Sequence, residues 1–381
     1  MSSLLNKTAI VGIGQTEFSK NSGRSELQLA LEASKAALDD AGMSPKEIDG
    51  AVTFKIDTND ELDVMHHLGV PELRWVARTP GGGGGASATV QLAAAAVASG
   101  AANAVLIYRA FNERSGKRFG QPIKDWGSAQ PDIHFSYGLD TPAKIYALWY
   151  QPYMARYGVT NEDLADYVVI ARQNAATNPR AWFYEKPITV ADHQNSRWIV
   201  EPVLRLLDCC QESDGGVALI VTSAERAKDL RQPAVRIAAA TQSHVNSSRE
   251  MFNYYRDDLT TFEEVPAISK QLWNESGLGP KDIDIALLYE NFSPIVLMAL
   301  EGHGFCGRGE AKDFIRDGHI GLNGSLPVNT HGGLLGEAYI HGVNNLLEGV
   351  RQLRGTAANQ VASPEHVLVS ASRSAVILGR S

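Results

Sequence analysis

Cysteine is scarce in this sequence: three in 381 residues, Cys209 and Cys210 adjacent and Cys306 apart. That number and spacing exclude a disulfide framework and a cysteine-rich zinc site, and they fit a reducing cytoplasm. Positive charge is not in excess either. Thirty-five Lys and Arg face 43 Asp and Glu, a net charge of −8, which argues against nucleic acid or an anionic membrane as the main partner. A phosphate-bearing ligand would need a local basic pocket, or basic residues lent by another subunit. Long hydrophobic runs are missing too. The greasiest stretch, "ATVQLAAAAVASGAANAVLIY", is broken by Gly100 and Asn103 and reads as a buried Ala-rich helix, a turn and a buried strand. The opening "MSSLLNKTAIVGIG" lacks a charged region followed by a long apolar one, so neither a signal peptide nor a membrane span is expected. His303, His319 and His341 have no ligand-like spacing with acids or cysteines, and no metal site is expected. "VGIGQTEF" falls short of a dinucleotide fingerprint, because Glu17 stands where a third small residue belongs.

What the sequence does contain is a repeat. "ASKAALDDAGMSPKEIDGAVTF" (33–54) aligns without a gap to "ISKQLWNESGLGPKDIDIALLY" (268–289). Ser34, Lys35, Gly42, Pro45, Lys46, Ile48, Asp49 and Ala51 recur as Ser269, Lys270, Gly277, Pro280, Lys281, Ile283, Asp284 and Ala286. Each copy reads as an amphipathic helix, a glycine cap, a Pro-Lys turn and a short strand. A strand precedes each copy; a Gly-rich turn, a helix and another strand follow it. Strands alternating with helices predict α/β layers. Two such blocks in tandem predict an N-terminal half over 1–232 and a C-terminal half over 233–381, with their equivalent loops meeting at a pseudo-twofold axis. The polar and aromatic stretch 111–157 reads as an insertion in the first half, a lid or substrate loop.

The blocks "MARYGVTNEDLADYVVIARQNAATNPRA", "NSRWIVEPVLRLLDCCQESDGGVALIVTSAE", "GFCGRGEAKDFIRDG" and "LPVNTHGGLLGEAYIHG" resemble, in order and spacing, the sterol-carrier branch of the thiolase superfamily. The resemblance covers nearly the whole chain. It implies the thiolase fold: duplicated βαβαβαββ halves stacked as five αβαβα layers. The departures from the pattern carry the chemistry. A thiolase needs a nucleophilic cysteine at the N-terminus of the buried helix in the first half, and Gly83 of "PGGGGGASAT" occupies that place. A second cysteine near the C-terminus is absent from "HVLVSASRSAVILGRS". Tyr339 stands in the column of the Gly-His-Pro histidine, and "YENFS" puts Tyr289 in the loop that usually reads like "NEAF". Acyl transfer through a thioester to the enzyme is therefore excluded.

Two tyrosines in those columns resemble the subgroup of steroid acyl-CoA aldolases. What the resemblance implies is a retro-aldol cleavage of a ring-D tertiary-hydroxy steroid acyl-CoA to a 17-ketosteroid and propionyl-CoA, with Tyr289 and Tyr339 catalytic. Tyr339 is the preferred base and Tyr289 the preferred donor. Gly332 and Gly333, and Gly83 in the other half, would let backbone approach the thioester, with His331 and Asn291 as further polar groups. Glu337 is a candidate acid or base beside Tyr339, or else a carboxylate satisfying a helix dipole. Tyr254 and Tyr255 line a steroid slot or, as the safer reading, serve the core or an interface; the three cysteines read as packing residues. The resemblance also implies a homodimer core joined by a small OB-fold and zinc-ribbon protein, often linked to an enoyl-CoA hydratase, giving a heterotetramer. No cofactor is expected beyond the CoA of the substrate. The competing reading is a non-catalytic thiolase-like scaffold or acyl-CoA-binding subunit, which has no need of phenols at both columns.

Overall fold

The computed structural model describes residues 6–122, 131–245, 254 and 256–380. Among these residues eleven strands are formed: β1 (Thr8–Gln15), β2 (Gly50–Phe54), β3 (Trp75–Thr79), β4 (Ala104–Asn112), β5 (Trp198–Val200), β6 (Leu204–Arg205), β7 (Asp214–Ser223), β8 (Val235–Gln242), β9 (Ile285–Leu288), β10 (His366–Ala371) and β11 (Ser374–Arg380). Nine of them run in the order β3-β2-β4-β7-β1-β8-β11-β10-β9, while β5 and β6 pair separately. The order has a plain internal logic. If β1, β2, β4 and β7 are matched to β8, β9, β10 and β11, each half reads the same from the centre outwards, and β3 is an addition at one edge. The halves meet at β1 and β8 through only two residue pairs, Ala9 with Arg236 and Ile10 with Val235.

The sequence explains the elements around this sheet. The helix Glu26–Ala41 starts at Ser25, whose side chain accepts from the Gln28 N–H, and stops at left-handed Gly42; the equivalent helix Glu264–Ser276 stops at left-handed Gly277. These two helices cover the outer faces, the first on β1, β4 and β7, the second on β8 and β11. The helices Ala86–Ala98 and Val343–Arg354 touch strands of both halves and form the middle layer. Helix, sheet, helix pair, sheet and helix make the five layers of the thiolase fold. Strands buried on both faces read as near-continuous apolar runs, as β7 does from Val217 to Val221. Among the described residues, no helix is long and apolar enough to cross a membrane.

The first two residues of the stretch 111–157 complete β4. Its helix Pro142–Tyr157 is started by the Thr141 side chain, which accepts from the Lys144 N–H, and by Pro at the first turn. Residues 123–130 of this stretch lie outside the described residues.

Candidate active site

Tyr289 follows directly on β9, at the C-terminal end of a parallel strand, the usual place for a site in α/β sheets. Its N–H donates to the Ser370 carbonyl (2.8 Å) on β10. The preceding residue, Leu288, is gripped by the Asn329 side chain. Asn329 Oδ1 accepts from the Leu288 N–H (2.8 Å) and its Nδ2 donates to the Leu288 carbonyl (2.9 Å), with Asn329 itself at φ 47. A non-glycine residue in the left-handed region costs energy and persists where the surroundings over-determine it.

Tyr339 arrives from a different direction. "HGGLLG" makes one helical turn, Gly333–Gly336, after which Tyr339 bridges to Glu212 as an isolated strand pair. Its N–H donates to Ser213 Oγ (3.2 Å). That turn ends before the tyrosine, and the long helix begins later, at Val343.

The two phenols meet. Tyr289 Oη and Tyr339 Oη lie 2.8 Å apart, one donating to the other, with both residues 7% exposed. Burial pushes both phenols well above their ordinary value of 10, so both are neutral at physiological pH. Gly83 makes room for them: a Cβ there would sit 2.2 Å from Tyr289 Cε2 and 2.5 Å from its hydroxyl. The phenol of one half thus occupies the space in which a side chain of the other half would stand.

Both tyrosines, Gly83 and Asn291 line one cavity of about 1140 Å³, larger than the usual range for a drug-sized ligand. Asn291 Oδ1 accepts from the Tyr150 hydroxyl (3.4 Å), which leaves its amide N–H as the donor it can offer. The other expected residues are elsewhere. His331, Gly332 and Gly333 are buried behind the site and do not line the cavity. His331 Nε2 pairs with Asn345 Oδ1 (3.1 Å), and burial pushes its pKa down to about 4. The double glycine has a packing reason instead of an approach to a thioester. A Cβ on Gly332 would strike Ala175 at 2.5 Å, and one on Gly333 would overlap Glu290 Oε1 at 1.7 Å. That carboxylate accepts from the Leu334 N–H (2.7 Å), with its pKa pushed up to about 8 by burial. Glu337 is likewise structural, accepting from Asn178 Nδ2 (3.2 Å) and Asn344 Nδ2 (2.9 Å) away from the cavity.

Cys209 and Cys210 do line the cavity, a correction to their reading as packing residues alone. Burial raises both thiols, so neither is a ready thiolate. Cys306 is not among the lining residues, and burial holds its thiol near 12. Tyr254 donates to the Ile145 carbonyl (3.0 Å) and packs on Trp149 outside the cavity; Tyr255 lies outside the described residues.

Sequence reasoning missed several groups here. His341 faces Tyr339 edge-on at 5.0 Å and stacks on Phe111 at 5.1 Å. Its Nδ1 accepts from Arg109 Nε (3.1 Å), so the ring proton sits on Nε2, and burial with the adjacent Arg109 charge holds it neutral. Arg109 is itself paired with Asp57 (2.7 Å). Glu113 and Lys20 line the same space. The lining is of two kinds: it includes the aromatic Phe111, Phe119, Tyr146 and Phe292 and the basic Arg114, Lys117, Arg118 and Lys144. Among the described residues, no group of three metal-ligating side chains occurs.

Similarity to known proteins agrees with this site. Residues 244–377 match the family described as thiolase C-terminal domain-like. The chain is 55% identical over 374 residues to the 17-hydroxy-3-oxo-4-pregnene-20-carboxyl-CoA lyase of Mycobacterium tuberculosis, covering 97% of each. The chain belongs to the thiolase-fold steroid side-chain-cleaving aldolases. A second member, the steroid side-chain-cleaving aldolase of Thermomonospora curvata, is 53% identical over 377 residues, 97% of this chain and 96% of that one. A solved structure, the Ltp2-ChsH2(DUF35) aldolase, superimposes with a TM-score of 0.94 at 52% identity, over 100% of this chain and 99% of the other. With two neutral phenols meeting beside Gly83, the site suits carbon–carbon cleavage by proton transfer.

Proposed function

We propose that the chain cleaves the side chain of a ring-D tertiary-hydroxy steroid acyl-CoA, releasing a 17-ketosteroid and propionyl-CoA. The observation that carries the reading is the phenol pair, 2.8 Å apart and lining a cavity in which Gly83 stands in place of a nucleophile. In the cleavage the 17-hydroxyl loses its proton, the bond from C17 to the carbon alpha to the thioester breaks, and its electron pair becomes an enolate. A proton must then reach that carbon. A phenol hydrogen-bonded to a second phenol is a poised donor, because the second hydroxyl stabilises the charge the first acquires. The Nε2–H of His341 and the amide of Asn291 are the donors available to the thioester oxygen as it gains charge. The aromatic lining residues suit a flat steroid, and the basic ones suit phosphates.

Three further parts of the reading stand with it. No cofactor is needed beyond the CoA that the substrate brings. The acting unit is a homodimer core carrying a small OB-fold, zinc-ribbon protein on each side. The name of the structural relative couples an aldolase to a DUF35 protein, and β3 leaves an open sheet edge on which Val76 is 44% exposed. The cytoplasm is the proposed location, in keeping with an acyl-CoA substrate and three unpaired cysteines.

The test is a product assay. Purified protein, with and without its OB-fold partner, is incubated with 17-hydroxy-3-oxo-4-pregnene-20-carboxyl-CoA. The expected result is stoichiometric propionyl-CoA and 17-ketosteroid. Binding of the ester with neither product formed, partner present, would favour the non-catalytic scaffold.

A further inference from the structure

The cleavage needs a group to accept the hydroxyl proton, and the phenol pair is poorly suited to that half of the task. Both phenols are pushed upward by burial, so a phenolate base would be rare at neutral pH. A buried carboxylate lines the same cavity. β4 ends where Asn112 pairs with Asp214, and the next residue, Glu113, donates its N–H to the Ser213 carbonyl (3.3 Å). The same Ser213 holds Tyr339 through its Oγ (3.2 Å). Glu113 and Tyr339 are therefore both tied to Ser213, and both line the cavity.

Glu113 is 2% exposed, lines the cavity, and its Oε2 accepts no hydrogen bond. A buried acceptor left unsatisfied costs about 1–3 kcal/mol, a cost removed when a ligand hydroxyl donates to it. The charged neighbours are engaged elsewhere. Lys20 Nζ donates to Gln211 Oε1 (3.0 Å) and the Glu212 carbonyl (2.5 Å), Arg109 pairs with Asp57, and Glu212 pairs with Arg118 (2.6 Å).

Resting on the aldolase reading above, we infer that Glu113 is the base that takes the proton of the substrate's tertiary hydroxyl, leaving the tyrosine pair as the acid. The step closes in atoms and electrons. Glu113 carboxylate takes the hydroxyl proton, the C17 carbonyl forms as the C17–C20 bond breaks, and the electron pair passes to C20 and the thioester oxygen. The tyrosine pair gives one proton to C20, completing propionyl-CoA. The phenolate that remains is reprotonated from the Glu113 carboxylic acid, which restores both groups. Burial, then the charge of Glu212, lifts the Glu113 carboxyl well above its ordinary value, with Arg109 and Lys20 opposing; its charge in turn raises Tyr339 and Cys210. A carboxylate so raised matches an alcohol better than an ordinary one.

The experiment uses the protein with its OB-fold partner and 17-hydroxy-3-oxo-4-pregnene-20-carboxyl-CoA, wild type in parallel. Glu113→Gln keeps shape and volume. It is expected to lower kcat about 100-fold or more with KM within about threefold, and to abolish the acidic limb of the pH profile of kcat. Formate is expected to restore part of the turnover of Glu113→Ala, a response that a purely structural role would not give. If the glutamine variant melts early, Glu113→Asp tests the same role through a shifted acidic limb. Wild-type cleavage with Glu113→Gln within threefold of it, or loss in Glu113→Ala that formate does not relieve, overturns the assignment and leaves the aldolase reading standing. No cleavage by wild type overturns both.

Discussion

The two helices of the middle layer occupy equivalent places in the two halves, yet they are built from opposite materials. Ala86–Ala98 carries no charged residue and begins at a run of glycines without a side-chain cap. Val343–Arg354 is buried along nearly its whole length, although it contains Asn344, Asn345, Glu348, Arg351 and Gln352. Buried polar groups are expensive unless hydrogen-bonded, so their partners say what the helix is for. Asn344 Nδ2 donates to the Ala338 carbonyl (3.1 Å), one residue before Tyr339. Asn345 Nδ2 donates to the Leu288 carbonyl (3.3 Å), one residue before Tyr289. Glu348 Oε1 accepts from Thr330 Oγ1 (2.7 Å) and Gln352 Nε2 (3.0 Å). One half of the duplication makes room at Gly83; the other supplies the phenols and holds them. A symmetric fold has become an asymmetric site.

The comparison breaks most severely at the phenols. Tyr289→Phe and Tyr339→Phe should each lower kcat by about 10²–10⁴ with the fold intact by circular dichroism. Because the two hydroxyls act as one hydrogen-bonded unit, the double variant should fall little below the worse single one. Near-wild-type turnover in both single variants would remove the tyrosines from the mechanism. On the other side of the comparison, Gly83→Cys puts back a side chain where Tyr289 now lies. A displacement of an ångström can cost about 10²-fold, and a drop of that order in aldol cleavage is expected, with no acyl transfer gained. Unchanged cleavage by this variant would show that Tyr289 can leave the pocket beside Gly83 without consequence.

The helices themselves sharpen the contrast more gently. Asn345→Ala leaves His331 Nε2 without its partner and the Leu288 carbonyl with Asn329 alone, and should cost about 1–3 kcal/mol of stability, with kcat lowered because Tyr289 is less firmly placed. Ala93→Gly in the apolar helix should cost about 1 kcal/mol through helix propensity with kcat unchanged. Urea denaturation and turnover, measured together on both variants, would separate holding from packing. Equal effects on kcat would show that the polar helix has no special tie to the site.

How much of this was open to sequence reasoning depends on distance along the chain. The duplication was legible because helix, glycine cap, Pro-Lys turn and strand recur without a gap, and the strand order of both halves follows it. Tyr289, Tyr339 and the emptiness at Gly83 were legible because the resemblance supplies fixed columns for them. The double glycine was misread. Its reason lies with Ala175 and Glu290, which reach it only through folding. Glu113 and His341 gave no signal, because their significance comes from Ser213 and Arg109, partners about 100 and 232 residues away. Pattern places a residue on an element; what stands opposite it is decided by packing.

The same asymmetry should appear, at smaller scale, in acid. His303, on the helix Pro294–His303 of the C-terminal half, lies between Ser269 Oγ and Ser370 Oγ, 2.7 Å from each. Ser370 is the residue whose carbonyl receives the Tyr289 N–H. Burial pushes His303 down to about 3, against an unfolded value near 6.5. Below pH 6.5 the unfolded chain therefore holds a proton that the folded one refuses. The contribution of His303 is fully present above that pH and is lost as pH falls towards 3, at about 1.4 kcal/mol per pH unit. His331 adds a loss of the same sign towards about 4. Glu290, raised to about 8, acts oppositely: its contribution is full below about 4.5 and is lost as pH rises through 8. The net slope mixes these, so the difference between variants is the cleaner quantity. His303→Gln, with donors and acceptors for both serines, should shrink the loss of stability between pH 7 and pH 5 by about 2 kcal/mol relative to wild type, read from denaturant midpoints at the two pH values. If variant and wild type lose stability in parallel, the refusal of a proton at His303 is not what makes this half sensitive to acid.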